Sequence, residues 1–203
     1  MGCKASISKA YSENMIKKHF DPKNLKPSGR LQFFFHSPSS TLPVRDVCNE
    51  QGSGPKTEPQ LEQNAENYFS ECYQKLSIQG LLKNREKYLF LFTTCKNKAD
   101  HMEKHFGERY LVGYICADRF LPRHGFIAVQ GKTKIVVFQD AYPLERLVPS
   151  ASNRHIRVRK LSVEEAKKIL DHLRRAPDIR GKCVRELNRL KAACLGARIK
   201  KCR

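Results

Sequence analysis

Tyr88-Leu89-Phe90-Leu91-Phe92-Thr93-Thr94 shows an apolar side chain on both alternating faces for its first five residues. A strand with no polar face has to be covered on both sides, so this segment reads as a central strand. Arg109 to Ala117 is a second near-continuous apolar run with the same implication. Gly125–Val129 and Thr133–Phe138 read as two further strands. Gln130-Gly131-Lys132 reads as the short hairpin connection between them. Tyr142-Pro143-Leu144-Glu145-Arg146-Leu147 reads as an edge segment, because Pro143 has no N–H for a ladder.

Further downstream, Ile156 and Val158 alternate with His155, Arg157 and Arg159. On a strand these three polar groups project from one face about 6.6 Å apart, a spacing suited to successive phosphates. Ser162-Val163-Glu164-Glu165 is a capping box, with Ser162 as the cap and Glu165 three residues on. The helix it opens is expected to bury Val163, Ala166, Ile169, Leu170 and Leu173, and to break at Ala176-Pro177-Asp178. Asp178 then caps a second helix with an apolar stripe of Ile179, Cys183, Leu187, Leu190 and Cys194. Lys182, Arg185 and Arg189 lie on its other side. The short turn between the helices also permits a helix-turn-helix reading.

Upstream of Tyr88 the signals are weaker. Lys98–Phe106 is expected as a short helix closed by Gly107. Glu62–Leu76 has apolar residues at helical spacing, and Leu31–Phe35 reads as a strand. Residues 37–60 are rich in Ser, Pro, Gly and Thr and read as a loop. Ala10–Phe20 is a short amphipathic piece. The expected architecture is α+β: a small β-barrel with flanking helices and a C-terminal helix pair. It divides into an N-terminal extension (1–85), a barrel domain (86–175) and a basic C-terminal helix and tail (176–203).

Charge narrows the class of partner. The chain of 203 residues carries a net +19, of which residues 151–203 supply +12. A surface this basic attracts polyanions: nucleic acid above all, otherwise anionic membrane or an acidic protein. The eight cysteines, at 3, 48, 72, 95, 116, 183, 194 and 202, form no CxxC pair. They read as small hydrophobes in a reducing, cytoplasmic setting rather than as disulfides or zinc ligands. No cofactor is implied, and no apolar run reaches eighteen residues.

Several motifs carry competing chemistry. His101 and His105 stand four apart, a zinc-compatible spacing, but no third ligand accompanies them and they read as surface histidines. Met1-Gly2-Cys3-Lys4-Ala5-Ser6 fits an N-myristoylation pattern at Gly2, with Cys3 available for a second acyl chain. That pattern supports an alternative reading as a membrane- or partner-bound interaction module. Gly52-Ser53-Gly54-Pro55-Lys56-Thr57 lacks phosphate-loop spacing. An enzyme acting on nucleic acid would have Asp118, His124 and Asp140 as its carboxylate-plus-imidazole set.

In element order the segment 88–173 resembles the PUA-like superfamily, its EVE and ASCH branches in particular. The resemblance rests on Leu89-Phe90-Leu91-Phe92-Thr93-Thr94, then Gly107 to Tyr114, Tyr142 to Leu147, and Ile156 to Ser162 running into Glu164-Glu165-Ala166. It implies a compact barrel that recognises RNA or DNA, sometimes through a pocket for a modified or flipped base. On that implication Thr93, Thr94, Tyr114, Phe120 and Tyr142 are the pocket candidates. Arg119, Arg123 and His124, in an expected loop from Asp118 to Gly125, would hold the backbone. The leading expectation is therefore a nucleic-acid-binding protein with no catalytic residues of its own.

Overall fold

A computed structural model describes residues 9–47, 56–58, 67–68, 75–123, 126–148 and 159–201. The elements are α1 (Lys9–His19), β1 (Lys26–Phe33), β2 (Arg45–Val47), β3 (Lys56–Glu58), β4 (Asn67–Tyr68) and α2 (Lys75–Lys83). They continue with β5 (Glu86–Thr94), β6 (Arg109–Arg123), β7 (Phe126–Ile135), β8 (Tyr142–Pro143), β9 (Lys160–Leu161), α3 (Val163–Arg175) and α4 (Arg180–Lys201).

The fold is mixed α+β around one main sheet in the order β4-β7-β6-β5-β1-β9, with β8 added alongside β6. Among the described residues no pairing joins β4 to β9, so the sheet is an open path. β5 lies in its middle, as an all-apolar strand must: Leu89, Phe90, Leu91 and Phe92 are fully buried. β5 pairs antiparallel with β6 and parallel with β1. Arg30 Nε donates to the Glu86 carboxylate at 2.7 Å and fastens β1 to the start of β5. Burial pushes the Glu86 carboxyl above its ordinary range, against the pull of Arg30.

Residues 9–33 and 75–83, expected as part of an extension, contribute to the same sheet and core. α1 packs on β6, with Phe20 edge-on to Phe120 at 5.0 Å. α2 packs on β1, β5 and β7. α3 covers the opposite side at β1, β8 and β9, burying Ala166, Ile169, Leu170 and Leu173. α4 meets β2 and β7 instead. There Ile179, Cys183, Leu187 and Leu190 form a second small core with Val44 and Ile135. The last two helices thus address different parts of the sheet.

Several expectations are corrected. Gln130-Gly131-Lys132 is no hairpin but lies inside the continuous β7. A Cβ on Gly131 would stand 1.7 Å from the Cys116 carbonyl oxygen, so glycine is there for close approach to β6, not for a turn. The expected loop after Asp118 is strand as far as Arg123, because a bulge between Ala117 and Arg119 absorbs one residue and lets the ladder continue. The 37–60 loop contains the β2–β3 hairpin. Within the helix expected at 62–76, Asn67–Tyr68 is strand β4, and the helix is α2, later in the chain. Val163 is 43% exposed rather than buried.

Candidate nucleic-acid interface

Strand register builds the strongest polar and aromatic constellation on the sheet face shared with α3. Tyr88 of β5 lies beside Cys116 of β6, which lies beside Lys132 of β7. The next row is Phe90, Tyr114 and Lys134. Residues two apart on a strand share a face, so the rows form one surface, about 6.6 Å from row to row. Asp118 is the extra residue of the bulge. Arg119, paired with Gln130, therefore returns to the face that carries Cys116 and Lys132.

The aromatic centre is interlocked. Tyr88 and Tyr114 meet edge to face at 5.9 Å, and both contact Phe90, at 5.8 and 6.4 Å. Lys87 Nζ stands 6.0 Å from the Tyr88 ring centroid. From α3, Arg174 hydrogen-bonds the Tyr114 hydroxyl. Lys134 Nζ donates to the Arg174 carbonyl oxygen at 2.9 Å, which places a cation on the last turn of α3, where its carbonyls lack helix partners. Burial pushes the Cys116 thiol up, although Lys87, Arg174 and Lys132 pull it down. The thiol is therefore protonated at neutral pH and unsuited to nucleophilic work.

The start of α4 is fastened to β7 at Ile135, next in sequence to Lys134. Asp178 Oδ1 accepts from the backbone N–H of Arg180 at 3.0 Å and of Ile135 at 3.3 Å. The Ile179 N–H donates to the Ile135 carbonyl oxygen at 2.8 Å. These bonds fix α4 one residue beyond Lys134. Lys182 and Arg185 are exposed on it. Arg189 is exposed too, but both arms of its guanidinium hold Glu186 at 2.7 Å, so its charge is partly offset. Inward on the same helix, burial pushes the Cys183 thiol up to about 12.

The expected residues divide. Arg119 and Tyr114 join the basic face, with Lys182 and Arg185 beyond it. Arg123 ends β6 opposite Phe126. Arg159, expected to face phosphates, is used internally: it bonds the Leu147 carbonyl at 2.6 Å and the Glu165 carboxylate. His124, His155 and Arg157 lie outside the described residues, as do Gly2 and Cys3. The base-pocket set does not converge. Thr93 is fully buried and donates to the Phe34 carbonyl at 2.7 Å, and Thr94 is buried at the end of β5. Phe120 packs under α1, and Tyr142 is buried edge-on to His172 at 5.3 Å. Of the expected histidine pair, His101 is exposed but His105 is buried, with Nδ1 2.9 Å from the Tyr110 hydroxyl. This corrects the reading of both as surface groups.

Among the described residues, no group of three metal-ligating side chains occurs, and no helix is long and apolar enough to cross a membrane. Cys95, Cys116 and Cys183 are free thiols. Asp118 sits at the β6 bulge and Asp140 in the turn after β7, on separate segments. Sequence reading missed Lys87, Lys132, Lys134 and Arg174. They come from β5, β7 and α3, and sheet register together with the packing of α3 brings them to one face. No protein-family model, curated protein or solved structure matches this chain.

Proposed function

We propose that the protein binds nucleic acid across the sheet face of Tyr114, with Arg119, Lys132, Lys134, Arg174 and Lys87 as phosphate partners and Lys182 and Arg185 extending the track. One observation carries this reading: five cations drawn from β5, β6, β7 and α3 lie on or beside the sheet face that carries the partly exposed Tyr114. A basic surface that tracks a backbone and an aromatic face that stacks a base are the two components of single-strand binding. The order of motifs in the sequence favours a PUA-like reading, while the described sheet is an open path. The partner is RNA or DNA, and the protein acts by binding rather than by catalysis.

The test is salt-dependent fluorescence anisotropy with a labelled single strand. Each phosphate contact contributes roughly 0.7 to the negative slope of log affinity against log salt for a single strand. Changing Arg119, Lys132 and Arg174 together to Gln is expected to flatten that slope by about 2. An unchanged slope and affinity would remove this surface as the binding site.

A further inference from the structure

Next to the basic face, the end of α3 and the turn after β7 enclose an open cleft of about 360 Å³, lined by Gln139, Asp140, His172, Arg175, Ala176 and Pro177. That volume lies in the lower part of the roughly 300–1,000 Å³ typical of small-ligand sites. Its chemistry is mixed. A carboxylate (Asp140), a guanidinium (Arg175) and an amide (Gln139) border one space, and no hydrogen bond or ion pair among the described residues engages any of these three side-chain groups. His172 is committed: its Nε2 donates to the Asp140 backbone carbonyl at 3.1 Å. That bond holds the turn against α3 while the Asp140 carboxylate stays available. Beside His172, the buried Tyr142 hydroxyl has no hydrogen-bond partner among the described residues.

The cleft and the proposed nucleic-acid surface both border the last turn of α3. Arg175 follows Arg174, whose carbonyl holds Lys134 and whose side chain holds Tyr114. A strand laid across Tyr114 and past the end of α3 would meet the cleft. A carboxylate in the path of a polyanion repels phosphate, so its favourable partner is a neutral donor on the strand. Ribose offers such a donor at its 2′-hydroxyl, and deoxyribose has none there. We propose that the cleft takes one ribonucleotide of a bound RNA strand. The Asp140 carboxylate accepts from the 2′-hydroxyl, Arg175 holds the adjacent phosphate, and Ala176 and Pro177 give the sugar an apolar rim. The inference rests on the nucleic-acid reading above and narrows it to RNA.

The experiment titrates the full chain against three labelled single strands of one base sequence: RNA, DNA and 2′-O-methyl RNA. The methylated strand keeps the ribose oxygen but loses the donor, so it separates hydroxyl recognition from sugar shape. RNA is expected to bind roughly tenfold more tightly than either of the others, as one charge-assisted hydrogen bond allows. Asp140→Ala is expected to bring the RNA-to-DNA ratio close to one. Arg175→Gln is expected to lower RNA affinity by roughly threefold or more through the lost phosphate contact. Among the described residues both side chains are without a partner, and thermal melts check that the variants remain folded. Equal binding of the three strands by the unmodified protein, or full RNA preference in Asp140→Ala, would overturn this inference and leave the nucleic-acid reading standing. Failure to bind any of the strands at low salt would overturn both.

Discussion

His36 is held neutral by its surroundings. Its Nδ1 accepts the Lys96 backbone N–H at 2.9 Å, and its Nε2 donates to the Leu42 carbonyl oxygen at 2.9 Å. Burial lowers its pKa from 6.5 to about 4, and the nearby carbonyls only partly oppose that. The unfolded chain takes up this proton near 6.5 and the folded chain does so only near 4. The contribution is therefore complete above pH 6.5 and is lost as pH falls toward 4, on the order of 3 kcal/mol in all. Urea denaturation at several pH values between 7 and 4.5 is expected to show this loss, and His36→Gln should give a shallower pH dependence. Little at this scale was legible in advance. Thr93 read as a pocket hydroxyl, yet its hydroxyl donates to a carbonyl 59 residues away. A residue type says what bonds are available but not which neighbour takes them.

Elements were most legible where their determinants are local. Ser162 and Glu165 form the expected reciprocal cap: Ser162 Oγ accepts from the Glu165 N–H at 3.1 Å, and Glu165 Oε2 accepts from the Ser162 N–H at 2.9 Å. Ser162→Ala is expected to lower the stability of the protein by about 1 kcal/mol, read as a shift of the denaturation midpoint with an unchanged slope. The apolar spacing of α3 and α4, and the break at Pro177, were readable for the same reason. Strand limits were not. Gln130-Gly131-Lys132 carries hairpin chemistry, but the backbone of β6 passes too close for any side chain at Gly131, and that constraint is visible only across the ladder. The 62–76 segment misled similarly, because helical spacing there says nothing of a neighbouring edge that can take Asn67 and Tyr68.

The whole molecule has a large core around β5 and a separate small one under α4. The small core rests on Val44, Ile135, Ile179, Cys183, Leu187 and Leu190, so it is expected to open independently of the sheet. In native-state hydrogen exchange, the amides of residues 183–190 should exchange through such a partial opening. Those of Leu89 to Phe92 should exchange only with global unfolding. Equal protection in the two regions would mean that the cores behave as one. Net charge raised the expectation of a polyanion partner at this scale, and its excess in the last quarter of the chain pointed to α3 and α4. It did not reveal that Lys132, Lys134 and Arg174 share the face of Tyr114 and Cys116, since that depends on sheet register and on where α3 ends.

The parallel pairing of β1 with β5 also sets a timetable for synthesis. Leu31 has its register partner at Phe90, and between β1 and β5 the chain passes through β2, β3, β4 and α2. A ribosome adding roughly 5–20 residues per second leaves the first strand waiting several seconds for its neighbour to emerge. During that interval Leu31, Phe33 and Phe34 have no sheet to join, so the nascent chain offers a greasy ribbon to whatever chaperone surveys the exit tunnel.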